Sequence, residues 1–239
     1  MSFQSKLVLK NAHVVLPGRV IEHGSVVTES GLIAAIEDEN ARAEAMTLDL
    51  SGAVLLPGFI DVHIHGAMGV DVMEAAAGDL GKASTYLAAQ GVTGWLPTFV
   101  PASDENYVSA VAAISQARGN EGARVLGVHY EGPFVNTAQC GALHTDYFKT
   151  YSGPRDLDFL HVPDDSVRMI TLAPEISGGL ELVRELNSRG WVISIGHTRA
   201  DLKILAEACD AGARHMTHFM NAMAPLHHRS PGPIAFGLS

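Results

Sequence analysis

Residues 57–66 read PGFIDVHIHG, from Pro57 to Gly66. The apolar and β-branched residues between a proline and a glycine predict a buried strand with a turn at its end. On a strand, His63 and His65 point to one face and Ile64 to the other. Two imidazoles on one face make a two-toothed clamp for a metal ion. The helical clamp H-E-x-x-H, which needs a spacing of four, does not occur in the sequence.

Three more residues of the same chemistry stand in the same position relative to an apolar run. They are Glu131 in VLGVHYEGPF, His197 in WVISIGHT and His218 in HMTHFMNAM. Each lies where a predicted strand gives way to a Gly- or Pro-marked loop, which core filling does not explain. Neutral imidazole and carboxylate suit a first-row divalent ion, and a hydrolytic site keeps one coordination position open for water. His63, His65, Glu131, His197 and His218 are therefore the candidate ligands.

The segments around them set the fold class. GFIDVHIH, GVTGWLPTFV, ARVLGVHYEG, VRMITLAPE, WVISIGHT and RHMTHFMNA alternate with helical stretches such as DLGKASTYLAAQ, ENYVSAVAAISQAR, LELVRELNSR and ADLKILAEACDAG. This alternation predicts right-handed βαβ units and a parallel sheet, an α/β fold. A doubly wound sheet would place a G-x-G-x-x-G loop after its first strand, and GAMGVD after His65 lacks that form. In a (β/α)8 TIM-type barrel the functional residues come from the C-terminal ends of several strands, where all five candidates fall. About six strands are identifiable from Pro57 onward, in roughly 180 residues, whereas a complete barrel takes about 250. An incomplete barrel is the expectation, with a sixth helix or seventh strand beginning at PGPIAFGLS.

The leader has a different texture. LVLKNAHVVLP, GSVVTESGLIAAIE and TLDLSGAVLLP are short β-branched runs between turn residues, as in a small antiparallel sheet. The predicted domains are residues 1–56, part of a small β-sandwich, and residues 57–239, the barrel.

Composition narrows the function classes. The 239 residues are 47% hydrophobic and 18% charged, so a sizeable core is available. A net charge of −10 argues against a nucleic-acid surface, which needs clustered Lys and Arg. Apolar runs are broken before the roughly 20 residues of a membrane span. Two cysteines, Cys140 and Cys209, and no leader-like N-terminus predict a cytoplasmic protein without a disulfide framework.

PGFIDVHIHG, then EGPF, GHT and THFMNAM in this order, resemble the amidohydrolase superfamily. HYEGPFVN together with THFMNAMAPLHHRSPG is similar, more narrowly, to its N-acetylglucosamine-6-phosphate deacetylase branch, along the whole chain. The resemblance implies metal-dependent hydrolysis of the acetamido group of a phosphorylated amino sugar, giving glucosamine 6-phosphate and acetate. It makes Glu131, His197 and His218 ligands of the common metal site, and His63 and His65 ligands of a second ion found in some members. One or two divalent ions per subunit are implied, zinc, iron, manganese or cobalt. Asn221 and Ala222 correspond to substrate-contacting positions, Arg229 to a binder of the sugar phosphate that can reach across a homodimer interface, and Ala142 and His144 to a sugar-touching loop. Around Ala142 the GALH spacing is one residue longer than the family pattern. The family's catalytic acid/base aspartate is expected beyond Ser239, so no residue of this chain is assigned that role and the chain alone is expected to be impaired. Two other readings stay open: hydrolysis of another amide or a cyclic amide, and a non-catalytic metal-binding chain or one completed by a partner.

Other candidates have ordinary explanations. His13, His23 and His161 read as structural or surface histidines. His129 shares a strand face with Glu131 and can orient a ligand, while His215 faces away from His218 if the strand is regular. His227 and His228 lie in a polar loop beside Arg229. Asp61 shares the clamp's face and reads as an orienting or structural residue, Glu175 after LAPE sits at a strand end like Glu131 without being counted as a ligand, and Cys140 has no base beside it.

Overall fold

The structure is a computed structural model that describes residues 6–37, 45–117, 119 and 121–239. The chain divides into two units, residues 1–58 and 59–239.

In the first unit β1 (Lys6–Leu16), β2 (Arg19–Glu29), β3 (Leu32–Glu37), β4 (Met46–Asp49) and β5 (Val54–Leu55) form one sheet in the order β3-β2-β1-β4, with β5 also on β1. The β1–β2 and β2–β3 pairs are antiparallel hairpins. β4 and β5 instead run parallel to β1, end to end along one edge. The antiparallel sheet expected from the sequence is thus corrected to a mixed one. β2 and β3 intervene between β1 and β4 and supply the return crossing that a parallel pair requires. A bulge at Asn11, with φ of 60°, lets its amide donate to both Asp49 oxygens at 3.0 and 2.9 Å. Ala12, Val14, Ile21 and Val26 make a small core of their own.

The second unit runs β6 (Phe59–Ile64), α1 (Ala77–Ala89), β7 (Val92–Phe99), α2 (Asp104–Ala117), β8 (Arg124–Val125), β9 (Gly127–Glu131), β10 (Val167–Leu172), α3 (Gly179–Ser188), β11 (Val192–Ile195), α4 (Leu202–Ala211), β12 (His215–Met216) and α5 (Gly232–Leu238). Six strands pair in the order β6-β7-β9-β10-β11-β12, all parallel, and β8 lies beside β7. The expected βα alternation holds except between β9 and β10. Three 3-10 turns, Thr137–Gln139, Thr145–Tyr147 and Pro154–Leu157, fill that connection. PGPIAFGLS starts α5, with proline in its first turn where a missing N–H costs nothing.

The helices bury stripes at the expected period, for example Leu80, Ala83, Ser84 and Leu87 of α1. Asp201 caps α4 by accepting from Ile204 N–H at 2.9 Å. Among the described residues no helix is long and apolar enough to cross a membrane.

Alternation along the strands sorts core from site. In β9, Val128 and Tyr130 point into the helix-facing core, where Tyr130 meets Phe99, Tyr107, Phe159 and Trp191. His129 and Glu131 point the other way, yet are 0% and 4% exposed. In β10, Ile170 and Leu172 join the same core while Thr171 opposes them, and in β11 Ile193 and Ile195 do so while Ser194 opposes them. One sheet face is therefore apolar and the other carries a buried polar layer. Each fully buried large apolar side chain contributes about 1.5–3 kcal/mol by area, so the first face anchors the second.

Pro97 sits inside β7 without breaking the sheet. β8 flanks β7 up to Trp95, and β9 takes over at Thr98, so Pro97 occupies the handover, where a ladder N–H is dispensable. The predicted strand RHMTHFMNA shrinks to His215–Met216. His218 and Met220 have φ of 30° and 77°, and Asn221 N–H closes a turn on His218 C=O at 2.8 Å. The chain has left extended geometry before His218, so the opposite-face relation expected of His215 and His218 does not apply.

Candidate metal centre

The five candidates converge on one carboxylate. Glu131 Oε1 lies 2.9 Å from His197 Nε2, 2.9 Å from His218 Nε2 and 3.6 Å from His63 Nε2, while Oε2 lies 3.2 Å from His65 Nε2. His197 Nε2 and His218 Nε2 are 3.1 Å apart. The ligand atoms of His63, Glu131 and His218 all fall within 4.8 Å of one another. The tightest group is the Glu131–His197–His218 triangle, with sides of 2.9, 2.9 and 3.1 Å. Ligands at about 2.1 Å from a tetrahedral ion stand roughly 3.4 Å apart, so a small expansion of this triangle accommodates one.

Hydrogen-bond polarity says what belongs there. His197 Nδ1 lies 2.7 Å from the Gln139 carbonyl, which only accepts, so Nδ1 carries the proton. With that single ring proton on Nδ1, Nε2 faces a carboxylate oxygen with a bare lone pair. His65 is oriented the same way, with Nδ1 donating to Thr98 C=O at 3.1 Å. His63 Nδ1 and His218 Nδ1 are buried without a hydrogen-bond partner among the described residues. Lone pairs facing lone pairs are tolerated only with protons or a cation between them, and backbone carbonyls that fix the tautomer are the usual outer partners of metal-bound imidazoles.

The electrostatics agree. Burial opposes ionisation of Glu131, but the close approach of His197, His218, His65 and His63 outweighs it and holds the carboxyl well below the usual carboxylate range. Burial pushes His63 down to about 4 despite the attraction of Glu131. The hydrogen bond to Glu131 raises both His65 and His218.

Local backbone places each side chain. Gly66, φ 140°, ends the clamp strand, and a β-carbon there would collide with Val70 C=O at 1.8 Å. Between Asp61 and Ile64 the β6–β7 register is irregular. Side chains take over the freed backbone groups: Asp61 Oδ1 accepts from His63 N–H, Thr98 Oγ1 accepts from Ile64 N–H, and His129 Nδ1 donates to Val62 C=O at 2.6 Å. Asp61 is thus an orienting residue. His197 itself has φ of 49°, a left-handed conformation that costs a non-glycine residue on the order of 1 kcal/mol or more.

His129 touches no ligand oxygen or nitrogen within hydrogen-bond reach; it packs on His63 at 5.0 Å between ring centroids and supports the layer beneath. Since its Nδ1 donates to a carbonyl, its Nε2 accepts from Thr171 at 2.7 Å. Polarity then propagates: Thr217 donates to Thr171 at 2.6 Å and Ser194 to Thr217 at 2.6 Å. The chain of hydroxyls crosses from β11 to β9 under the cluster.

The substrate-contact candidates are dispersed. Ala142, His144, Asn221 and Arg229 are exposed and Ala222 is half-buried. The loops of Ala142 and Ala222 do meet at the cluster, because a β-carbon on Gly141 would sit 3.5 Å from His197 Cε1 and 3.7 Å from Ala222 Cβ. Among the described residues nothing joins His144 or Arg229 to the cluster. Thr98, Asn136 and Gln139, which hold the candidate ligands, escape sequence reading. Gln139 acts through its backbone, and only the lone polar Thr98 in WLPTFV offered a signal.

If His63 and His65 bind a second ion, His63→Asn/His65→Asn is expected to lower metal content from two ions per chain to one. An unchanged stoichiometry, read by mass spectrometry of the dialysed protein, would refute the two-ion arrangement.

Known proteins resemble this chain closely. The N-acetylglucosamine-6-phosphate deacetylase of Bacillus subtilis (strain 168) is 35% identical over 245 residues, covering 98% of this chain and 61% of its own. The N-acetylgalactosamine-6-phosphate deacetylase of Escherichia coli O157:H7 is 36% identical over 211 residues, covering 87% of this chain and 55% of its own. The solved structure of a Mycobacterium smegmatis N-acetyl-D-glucosamine-6-phosphate deacetylase variant in complex with N-acetyl-D-glucosamine-6-phosphate superposes with a TM-score of 0.83 at 29% identity, over 97% of this chain and 60% of that one. The chain thus spans about three-fifths of the length of such relatives, and its second unit is a six-stranded part of the TIM-type fold, as the sequence led one to expect. A family model described as the Amidohydrolase family matches residues 54–234, a span that contains the parallel sheet and all five converging side chains, and the chain belongs to that family.

Proposed function

We propose that this chain carries the metal site of an enzyme that hydrolyses the acetamido group of N-acetylglucosamine 6-phosphate to glucosamine 6-phosphate and acetate. The observation that carries the reading is the convergence of four imidazoles on one buried carboxylate, in a chain 35% identical to the Bacillus deacetylase. Glu131, His197 and His218 would hold one divalent ion, zinc, iron, manganese or cobalt, with His63 and His65 available to a second. Such an ion, when bound, supplies an activated water near neutral pH and polarises the amide carbonyl. The side chains themselves hold fixed tautomers through Gln139 and Thr98, so little reorganisation accompanies reaction.

Glu131 is held ionised and is a poor proton donor. Protonation of the departing amine therefore needs another acid, the aspartate that the family resemblance places beyond Ser239. In this reading Asn221, Ala222, Ala142 and His144 contact the sugar, Arg229 binds its phosphate, and the full-length protein is a cytoplasmic homodimer.

The test is acetate release with the metal-loaded enzyme in a form that carries that aspartate. Release from N-acetylglucosamine 6-phosphate in excess of that from the galactosamine epimer and from the unphosphorylated sugar is expected. Equal hydrolysis of the phosphorylated and free sugars would refute the substrate assignment, and metal uptake without any turnover would favour a chain completed by a partner. Arg229→Ala is expected to raise KM for the phosphorylated sugar roughly tenfold to a hundredfold, the worth of a hydrogen bond to a charged group, and to leave KM for the free sugar unchanged. Steady-state kinetics on both sugars check it.

A further inference from the structure

We infer that Glu175, which binds no candidate ligand atom, is the positioning residue that sets the geometry of His197 against His218. The inference rests on the metal reading above and adds to it a residue that touches neither ion nor substrate.

Glu175 follows β10 and collects donors from two other strand ends. Its Oε1 accepts from Asn136 Nδ2 at 2.9 Å and from Arg199 N–H at 2.6 Å, and its Oε2 accepts from Thr198 Oγ1 at 2.6 Å. Asn136 lies in the loop after β9, before its first 3-10 turn, and Thr198 and Arg199 directly follow His197. A single carboxylate therefore ties the loop after β9 to the loop after β11.

Each tied loop in turn holds a ligand. Asn136 N–H donates to His197 C=O at 3.0 Å, and Asn136 Oδ1 caps the 3-10 turn by accepting from Ala138 N–H at 2.9 Å. That turn ends on Gln139, whose carbonyl fixes the His197 ring at 2.7 Å. The path from Glu175 through Asn136 and Gln139 to His197, and back through Thr198 and Arg199, is closed. On its other side Thr198 N–H donates to Ala222 C=O at 3.1 Å, Ala224 N–H donates to Thr198 C=O at 2.9 Å, and Thr198 bridges Met223 in parallel. The segment after His218 is thereby held to the same hub.

Two features make such a hub necessary. His197 and His218 both sit at positive φ, 49° and 30°, conformations that β-carbon-bearing residues leave unless held. Their Nε2 atoms are 3.1 Å apart, so relaxation of either loop changes the separation of two ligands directly. Outer partners of this kind are typically worth tenfold to a hundredfold in metal affinity.

The experiment compares the 239-residue wild type, Glu175→Ala, Glu175→Gln and Asn136→Ala, with cobalt(II) as probe. Cobalt affinity is read by competition with a chelator, and ligand geometry by the visible absorption of the bound ion. Glu175→Ala and Asn136→Ala are expected to weaken cobalt binding at least tenfold and to change the visible spectrum. Glu175→Gln keeps an acceptor for Asn136 and Arg199 and can donate to Thr198 Oγ1, so it should return both readings close to wild type. Asn136→Ala leaves the Thr198 and Arg199 bonds intact and decides the matter should Glu175→Ala fail to fold. Wild-type affinity and spectrum in the alanine variants would overturn the hub while leaving the metal site standing. Failure of the wild type to take up cobalt would overturn the metal reading and this inference with it.

Discussion

Glu131→Gln is expected to abolish stable metal binding while leaving a folded chain. Glu131 is the carboxylate that His63, His65, His197 and His218 all approach, through four contacts between 2.9 and 3.6 Å. The substitution keeps size and shape but leaves a dication among neutral nitrogens with no counter-charge in a buried setting. Breaking one partner of a buried charged pair costs about 3–5 kcal/mol, equivalent to at least a hundredfold in affinity. A glutamine amide can also donate to the imidazole lone pairs, which satisfies the metal-free site and further favours it. Metal content after dialysis against a zinc buffer checks the expectation, with circular dichroism as control for folding. A variant that keeps wild-type metal content would show that the imidazoles alone make the site.

The second large effect is on stability. His129→Leu is expected to destabilise the fold by about 2–6 kcal/mol, because it leaves the Val62 carbonyl and the Thr171 hydroxyl without their partner, each at about 1–3 kcal/mol. The Val62 carbonyl lies in the irregular part of the β6–β7 pairing, so the imidazole ring replaces a missing ladder contact. Urea denaturation measures the difference, and a change within the roughly 0.5 kcal/mol of an ordinary surface substitution would refute the role.

The same residue gives a pH signature. Burial, reinforced by the neighbouring His63, pushes His129 from 6.5 down to about 3. In the folded chain it stays neutral, whereas the unfolded chain takes a proton below about 6.5. The unfolded state then binds more protons, so stability falls as pH is lowered through that window toward 3. His129→Leu removes this contribution. The gap between wild type and variant should be widest above pH 6.5 and narrow as pH falls, and a gap independent of pH would show that His129 does not stay neutral.

The contrast between Glu131 and His129 shows how far the sequence reaches. Both stand in VHYE, both face the same side, and the alternation that separates them from Val128 and Tyr130 is local. Spacing along one strand therefore identified both as inward residues. It did not say that Glu131 gathers imidazoles from three other strand ends, or that His129 serves a carbonyl 67 positions away. Glu175 is the extreme case. At a strand end it looks like a second Glu131, yet its three partners are a loop amide, a hydroxyl and a backbone N–H that sequence pattern does not mark.

The leader and the last strand show the same boundary. β-branched runs made the first unit a sheet, but whether β4 pairs parallel or antiparallel depends on which edge of β1 it reaches. HMTHFMNAM reads as strand by composition, but the chain turns at His218, where positive φ and the Asn221 bond replace the ladder.

By itself the sequence determined the period of each element, the βα order, the identity of the five converging side chains and the family, because hydrophobic period, turn residues and ligand chemistry are carried by neighbouring residues. Only the tertiary structure decided which imidazole nitrogen carries the proton, how the ligands divide between the two oxygens of Glu131, and that Glu175 braces the site rather than joining it. Those outcomes depend on backbone carbonyls and N–H groups brought together across strands, and a backbone group looks the same at every position until the register of the sheet gives it a partner.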